Sequence, residues 1–141
     1  MFRSLLVTTD FSANSAVAMR PALAIAEKFG ARIVLIHVLE APSTDPGHPG
    51  KAALKGLAEM AHEQLEEFGG REIGERIRWS PEVATGPAPQ AITDAARRHA
   101  ADLIVVATHG RTGVLHLLLG SVAERVVRTA TCPVLTVRVP S

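Results

Sequence analysis

Leu103-Ile-Val-Val-Ala-Thr-His-Gly-Arg-Thr-Gly-Val-Leu-His-Leu-Leu-Leu-Gly-Ser121 decides how this chain is read. It opens on Leu103 to Val106, an apolar and largely β-branched run suited to a strand buried on both faces. Glycines follow at Gly110, Gly113 and Gly120, and Ser121-Val-Ala-Glu-Arg-Val-Val-Arg128 then has the spacing of an amphipathic helix. A strand, a glycine loop and a helix N-terminus can wrap an anionic chain. Glycine lets backbone N–H groups approach without a Cβ in the way. The first turn of a helix adds unpaired N–H groups and the positive end of its dipole. Either this loop holds a nucleotide or it turns a corner.

Upstream, Leu5 to Thr8 is a short apolar run ending in Thr9-Asp10, and it reads as strand one. Ser12 is placed to cap the next helix, in which Pro21 should kink the helix or loosen one turn and Gly30 should end it. Arg32-Ile-Val-Leu-Ile-His-Val-Leu39 is strand two. Ala41 to Gly50, rich in proline and glycine, is a loop. A helix then spans about Lys51 to Phe68, with Leu54, Leu57, Ala58, Ala61, Leu65 and Phe68 on one stripe and Gly69-Gly70 as its end. Arg76 to Ala84 alternates and reads as strand three, an edge strand because it contains Pro81. Gly86-Pro-Ala-Pro89 opens a helix that buries Ala88, Ile92, Ala95 and Ala96. Asp102 precedes strand four, and Pro133 to Val139 is strand five.

Five strands alternating with helices call for one domain over residues 1–141. The class is α/β, with an open five-stranded parallel sheet, right-handed crossovers and helices on both faces. In the order 3-2-1-4-5 the winding reverses between strands one and four. Ligands of such sheets bind outside the carboxyl ends of the strands at that reversal. Asp10 ends strand one and Ala107 begins the loop after strand four, so both converge there.

Composition excludes several classes. The 141 residues carry a net charge of +1 with both signs scattered, which is no footprint for nucleic acid. Aromatics are 4% with no tyrosine, too few for a base-stacking platform. Cys132 is the one cysteine, so no intramolecular disulfide forms, and a small buried hydrophobe is its expected role. No signal peptide or membrane span is evident, and a cytoplasmic protein is expected. No lysine follows the glycines as a P-loop requires, no histidine pair has metal spacing, and no nucleophile–base constellation is present. His37, in an apolar strand, is expected to be a hydrogen-bonded core histidine.

Val7-Thr-Thr-Asp-Phe-Ser12, Leu35-Ile-His-Val38, Thr108-His-Gly-Arg-Thr-Gly113, Leu118-Leu-Gly-Ser-Val122 and Cys132-Pro-Val-Leu-Thr-Val137 together resemble the universal stress protein family. The likeness runs from Phe2 to Arg138. It implies a small cytosolic homodimer with a Rossmann-like, adenine-nucleotide-binding α-hydrolase-like fold. One branch of that family binds ATP through a G-x2-G-x9-G-[S/T] signature. Gly110, Gly120 and Ser121 match it here, and Ala107 stands at the first glycine. The resemblance places the ribose near Asp10 and the adenine edge on the backbone of Val38. Phosphates would lie on Gly110, Gly120, Ser121 and Val122. Thr8, Thr9, Val106, Thr108, His109, Arg111 and Gly113 complete the expected site.

Two of these residues also have simpler explanations. Ser121-Val-Ala-Glu124 is a capping box, which accounts for Ser121 with or without a phosphate. Asp10 could turn the chain toward the first helix without touching a ligand. The expected function is ATP binding in a sensing or regulatory role, with Mg²⁺ carried by the phosphates and at most very slow hydrolysis. The alternative is a nucleotide-free dimeric interaction module. Strand five, Val134 to Val139, is the expected dimer edge. No nucleic acid or membrane partner is expected.

Overall fold

A computed structural model describes residues 1–40, 50–109 and 121–139. In chain order the elements are β1 (Ser4–Thr8), α1 (Ala13–Ala18), α2 (Arg20–Phe29), β2 (Arg32–Leu39), α3 (Lys51–Glu72), β3 (Trp79–Thr85), α4 (Ala88–Arg98), β4 (Leu103–His109), α5 (Ser121–Thr129) and β5 (Val134–Val139). The strands form one sheet in the order β3-β2-β1-β4-β5, and every pairing is parallel. This is the order expected from the alternating pattern.

Alternation along the central strands separates two apolar layers. Leu5, Val7, Ile33, Leu35, Leu103 and Val105 point to one face, where Met19 between α1 and α2, Ala22 and Ala26 of α2, and Leu65 and Phe68 of α3 cover them. Leu6, Val34, Ile36, Ile104 and Val106 point to the other, against Ala88, Ile92, Ala95 and Ala96 of α4 and Ala123 and Val126 of α5. The central strands are buried on both sides, which is why they read as continuous apolar runs.

Five local expectations are revised. The first helix is not merely kinked at Pro21. It splits into α1 and α2, with Met19 as the last cap of one and the first cap of the other. Proline in the first turn of α2 gives up no helical N–H, because those donors are unpaired anyway. Gly69-Gly70 does not end α3, which continues to Glu72. A Cβ on Gly69 would lie 2.3 Å from the indole of Trp79, so the glycine makes room for that ring. The third strand begins at Trp79 rather than Arg76 and ends at Thr85. The fourth runs on to His109, so Ala107 lies in a strand and not at the start of a loop. Of the expected α3 stripe, Ala61, Leu65 and Phe68 are buried, whereas Leu57 stays exposed. The loop expected at positions 41–50 lies, but for Gly50, outside the described residues.

Among the described residues no helix is long and apolar enough to cross a membrane.

Candidate functional site

The carboxyl ends of the strands are staggered around β1. Thr8, the last residue of β1, lies opposite Ile36, and β2 continues through His37, Val38 and Leu39. On the other side Val7 lies opposite Val105, and β4 continues through Val106, Ala107, Thr108 and His109. The two rims therefore rise past the end of β1 and leave a crevice two strand spacings wide, ~9.6 Å. It sits at the reversal of winding, where ligands of open α/β sheets bind.

Backbone polarity along each rim follows from the ladder. In a parallel pair, alternate residues turn both N–H and C=O to the same neighbour. The N–H of Arg32 donates to the C=O of Arg3, and the C=O of Ile36 accepts from the N–H of Thr9 at 3.0 Å, so the even residues of β2 face β1. Val38 thus turns its N–H and C=O into the crevice. On β4 the N–H of Ile104 donates to Pro133 on the β5 side. Val105, Ala107 and His109 consequently face the crevice with their backbones. Ala107 has no positive φ, since the non-glycine residues with one are Phe11 and Ala100 among the described residues. Nothing in its backbone calls for glycine.

The floor is the turn that leaves β1. Thr9 is buried, its hydroxyl shares a 2.8 Å hydrogen bond with that of Ser15, and the same oxygen accepts from the N–H of Phe11 at 3.0 Å. Asp10 is exposed, and its Oδ1 accepts from the N–H of Ser12 at 2.9 Å. Ser12 caps α1 as expected, with its Oγ accepting from the N–H of Ser15 at 3.0 Å. Phe11 is held at φ 69°, in the left-handed region. Its ring stacks on the imidazole of His37 with centroids 4.3 Å apart and meets Phe68 edge-on. The Nδ1 of His37 lies 2.9 Å from the C=O of Thr9. A carbonyl only accepts, so this nitrogen carries the proton. The hydrogen bond expected of His37 is present, although the ring is half-buried at the rim and not sealed in the core.

Thr8, Thr9, Asp10, Val38, Val106, Ala107 and Thr108 are thus brought to one end of the sheet. Thr8 and Thr108 direct their hydroxyls to neighbouring strands, onto Val105 C=O at 3.5 Å and Val137 C=O at 3.4 Å. The buried Val106 side chain and the half-buried Val122 belong to the apolar layer under α4 and α5. Gly110, Arg111, Gly113 and Gly120 lie outside the described residues, as do the side chains of His109 and Ser121. Glu124, the acidic member of the capping-box pattern, accepts from Arg128 at 2.8 Å. Residue patterns alone missed Phe11, because a positive φ in a bulky residue leaves no mark in sequence.

Cys132 lies at the opposite end, ahead of β5, half-buried against the second apolar layer. Burial, and then the nearby Asp102 carboxylate, push its thiol above the usual range.

A family model described as the universal stress protein family matches residues 1–138. A universal stress protein of Methanocaldococcus jannaschii is 33% identical, with 99% of this chain and 84% of that protein aligned. One from Thermus aquaticus is 35% identical, over 98% of this chain and all of its own length. Among solved structures, a universal stress protein family member from Burkholderia pseudomallei superposes with a TM-score of 0.73 at 28% identity, covering 96% of each chain. A universal stress protein in complex with cAMP has a TM-score of 0.65 at 24% identity, over 98% of both chains. One from Archaeoglobus fulgidus in complex with dAMP has a TM-score of 0.60 at 19% identity, covering 96% of this chain and 97% of its own. The last two likenesses speak for the fold alone.

Proposed function

This chain belongs to the universal stress protein family, and from that membership we propose that it is a cytoplasmic stress-response protein that binds ATP in a sensing or regulatory role, as a homodimer. The observation that carries the reading is the crevice above the end of β1. Two rims of inward-turned backbone, Val38 on one side and Ala107 and His109 on the other, flank a floor that presents Asp10. An adenine edge needs one donor and one acceptor side by side, and the N–H and C=O of Val38 supply such a pair. A carboxylate at the end of a strand is a recurrent partner of ribose hydroxyls. The complexes of two relatives by fold with cAMP and dAMP support the same ligand class.

Mg²⁺ would travel with the phosphates. Among the described residues no group of three His, Cys, Asp or Glu side chains is arranged to hold a metal ion. Magnesium bound through substrate phosphates keeps its waters and needs no such cage. Phosphoryl transfer requires cations and an oriented nucleophile around the γ-phosphate. The sequence offers no P-loop lysine and no nucleophile–base constellation, and very slow hydrolysis at most belongs to this proposal.

Titration calorimetry with ATP and Mg²⁺ tests the reading. Binding is expected, and Asp10→Ala should weaken it roughly ten- to a hundredfold, the size of one hydrogen bond to a charged group. No heat and no thermal shift at millimolar ATP would sink it. A second reading, a nucleotide-free dimeric interaction module, draws on the bond from the Ser12 N–H to Asp10, which accounts for that aspartate as a turn-former. Under that reading Asp10→Ala costs stability and no ligand is bound.

A further inference from the structure

The β1–β2 ladder stops one rung before its backbone requires. Arg32, Val34 and Ile36 face β1, and the rung after Ile36 would send the Val38 N–H to the C=O of Thr9. The chain already meets half of the geometry for it, because the Thr9 N–H bonds to the C=O of Ile36 at 3.0 Å. That carbonyl is instead taken by the Nδ1–H of His37 at 2.9 Å. The imidazole is in turn fixed by the ring of Phe11, itself held in a left-handed backbone. His37 thus bonds the carbonyl next to the Val38 N–H, the backbone donor that the proposed site offers to a base on the β2 rim.

We propose that His37 is a positioning residue of the nucleotide site: its bond holds the Thr9 carbonyl turned toward the imidazole, so that the ladder ends early and the Val38 N–H stays available to the ligand. The inference rests on the adenine-nucleotide reading above. It adds a role for a side chain that need not touch the ligand. The same bond ties the exit of β1 to β2. Toward β4 the register of β1 ends at Val7 opposite Val105, and beyond it the Thr8 hydroxyl reaches the Val105 carbonyl at 3.5 Å.

Two substitutions separate this role from plain packing. Asparagine places an amide N–H near the position of Nδ1, whereas leucine fills the volume with no donor. In His37→Leu the Val38 amide should close onto Thr9, and its hydrogen exchange in the ligand-free protein should slow at least tenfold. ATP affinity should fall roughly tenfold, the worth of one hydrogen bond. Inorganic tripolyphosphate, which has no base, should bind both proteins equally. His37→Asn should restore fast exchange at Val38 and most of the ATP affinity, with thermal melting confirming that each variant folds.

If the unmodified chain binds ATP and His37→Leu binds it equally well, this proposal falls while the nucleotide reading stands. Unchanged exchange at Val38 in His37→Leu also overturns it. Failure of the unmodified chain to bind ATP overturns both.

Discussion

At Ala107 a methyl group stands where the ATP-binding signature has glycine, and its effect follows from the strand around it. Ala107 pairs with Val137 and has ordinary extended backbone, so glycine would bring only added freedom to the unfolded chain. Ala107→Gly should therefore leave ATP affinity within about threefold and cost about 0.5–1 kcal/mol of stability in urea denaturation. A large gain in affinity would show that the methyl group obstructs the ligand. Gly69 and Gly70 are neighbours with opposite requirements. A Cβ on Gly69 meets the Trp79 ring at 2.3 Å, whereas one on Gly70 meets nothing within 4 Å. Gly69→Ala should cost about 1–3 kcal/mol as overpacking. Gly70→Ala should gain up to about 1 kcal/mol from helix propensity. Equal effects at the two sites in chemical denaturation would mean that Trp79 yields freely.

At the level of elements, the sheet order was legible because each strand is a short apolar run and each crossover carries a helical stripe. The ends were less legible. Pro21 marked a disturbance, but not that α1 would end and α2 begin at the shared cap Met19, two residues before the proline that lacks a helical N–H. Ala107, Thr108 and His109 look like loop residues beside a glycine. They become strand because β5 supplies Val137, Arg138 and Val139 as ladder partners from elsewhere in the chain. Asp10 and Val38 could be placed at the site from topology and resemblance, since both depend on where strands end. The hydrogen bond from His37 to Thr9 could not, because it depends on side-chain direction and on the conformation of Phe11. The turn from β1 into α1 makes its own test. Ser12→Ala removes the acceptor for the Ser15 N–H and should cost about 1 kcal/mol. Loss of the cap should speed exchange at the Ser15 amide, and a loosened Asp10 turn should do the same at the Ser12 amide that donates to Asp10.

On the scale of the whole molecule, the two free edges of the sheet are treated differently. In β3 the even residues bond to β2, since the N–H of Ile33 reaches the C=O of Arg78. Its odd residues face outward, and Pro81 is one of them, so the middle of that edge offers no donor. Glu82 beside it carries an ion pair to Arg98 and a hydrogen bond to His99. Proline and charge are the usual means of blunting an edge. β5 has neither over Val134 to Val137, where the side chains are half-buried and apolar or hydroxylated. Val17 of α1, which packs over β4 and β5, is 40% exposed, and Val127 of α5 is 45% exposed. The outward N–H groups of β5 are those of Val134, Thr136 and Arg138, because the N–H of Ile104 bonds to Pro133 and alternation assigns the odd residues to β4. This unblunted edge is the one through which the proposed dimer would form. Thr136→Pro would give β5 the device that Pro81 gives β3, deleting the central outward donor while sparing the ladder to β4. A two-fold interface loses the bond twice, about 2 kcal/mol in all, so the dimer dissociation constant should rise roughly thirtyfold. Sedimentation over a dilution series measures it, with far-UV circular dichroism as the control for folding. An unchanged dissociation constant in a folded Thr136→Pro protein would move the interface away from β5.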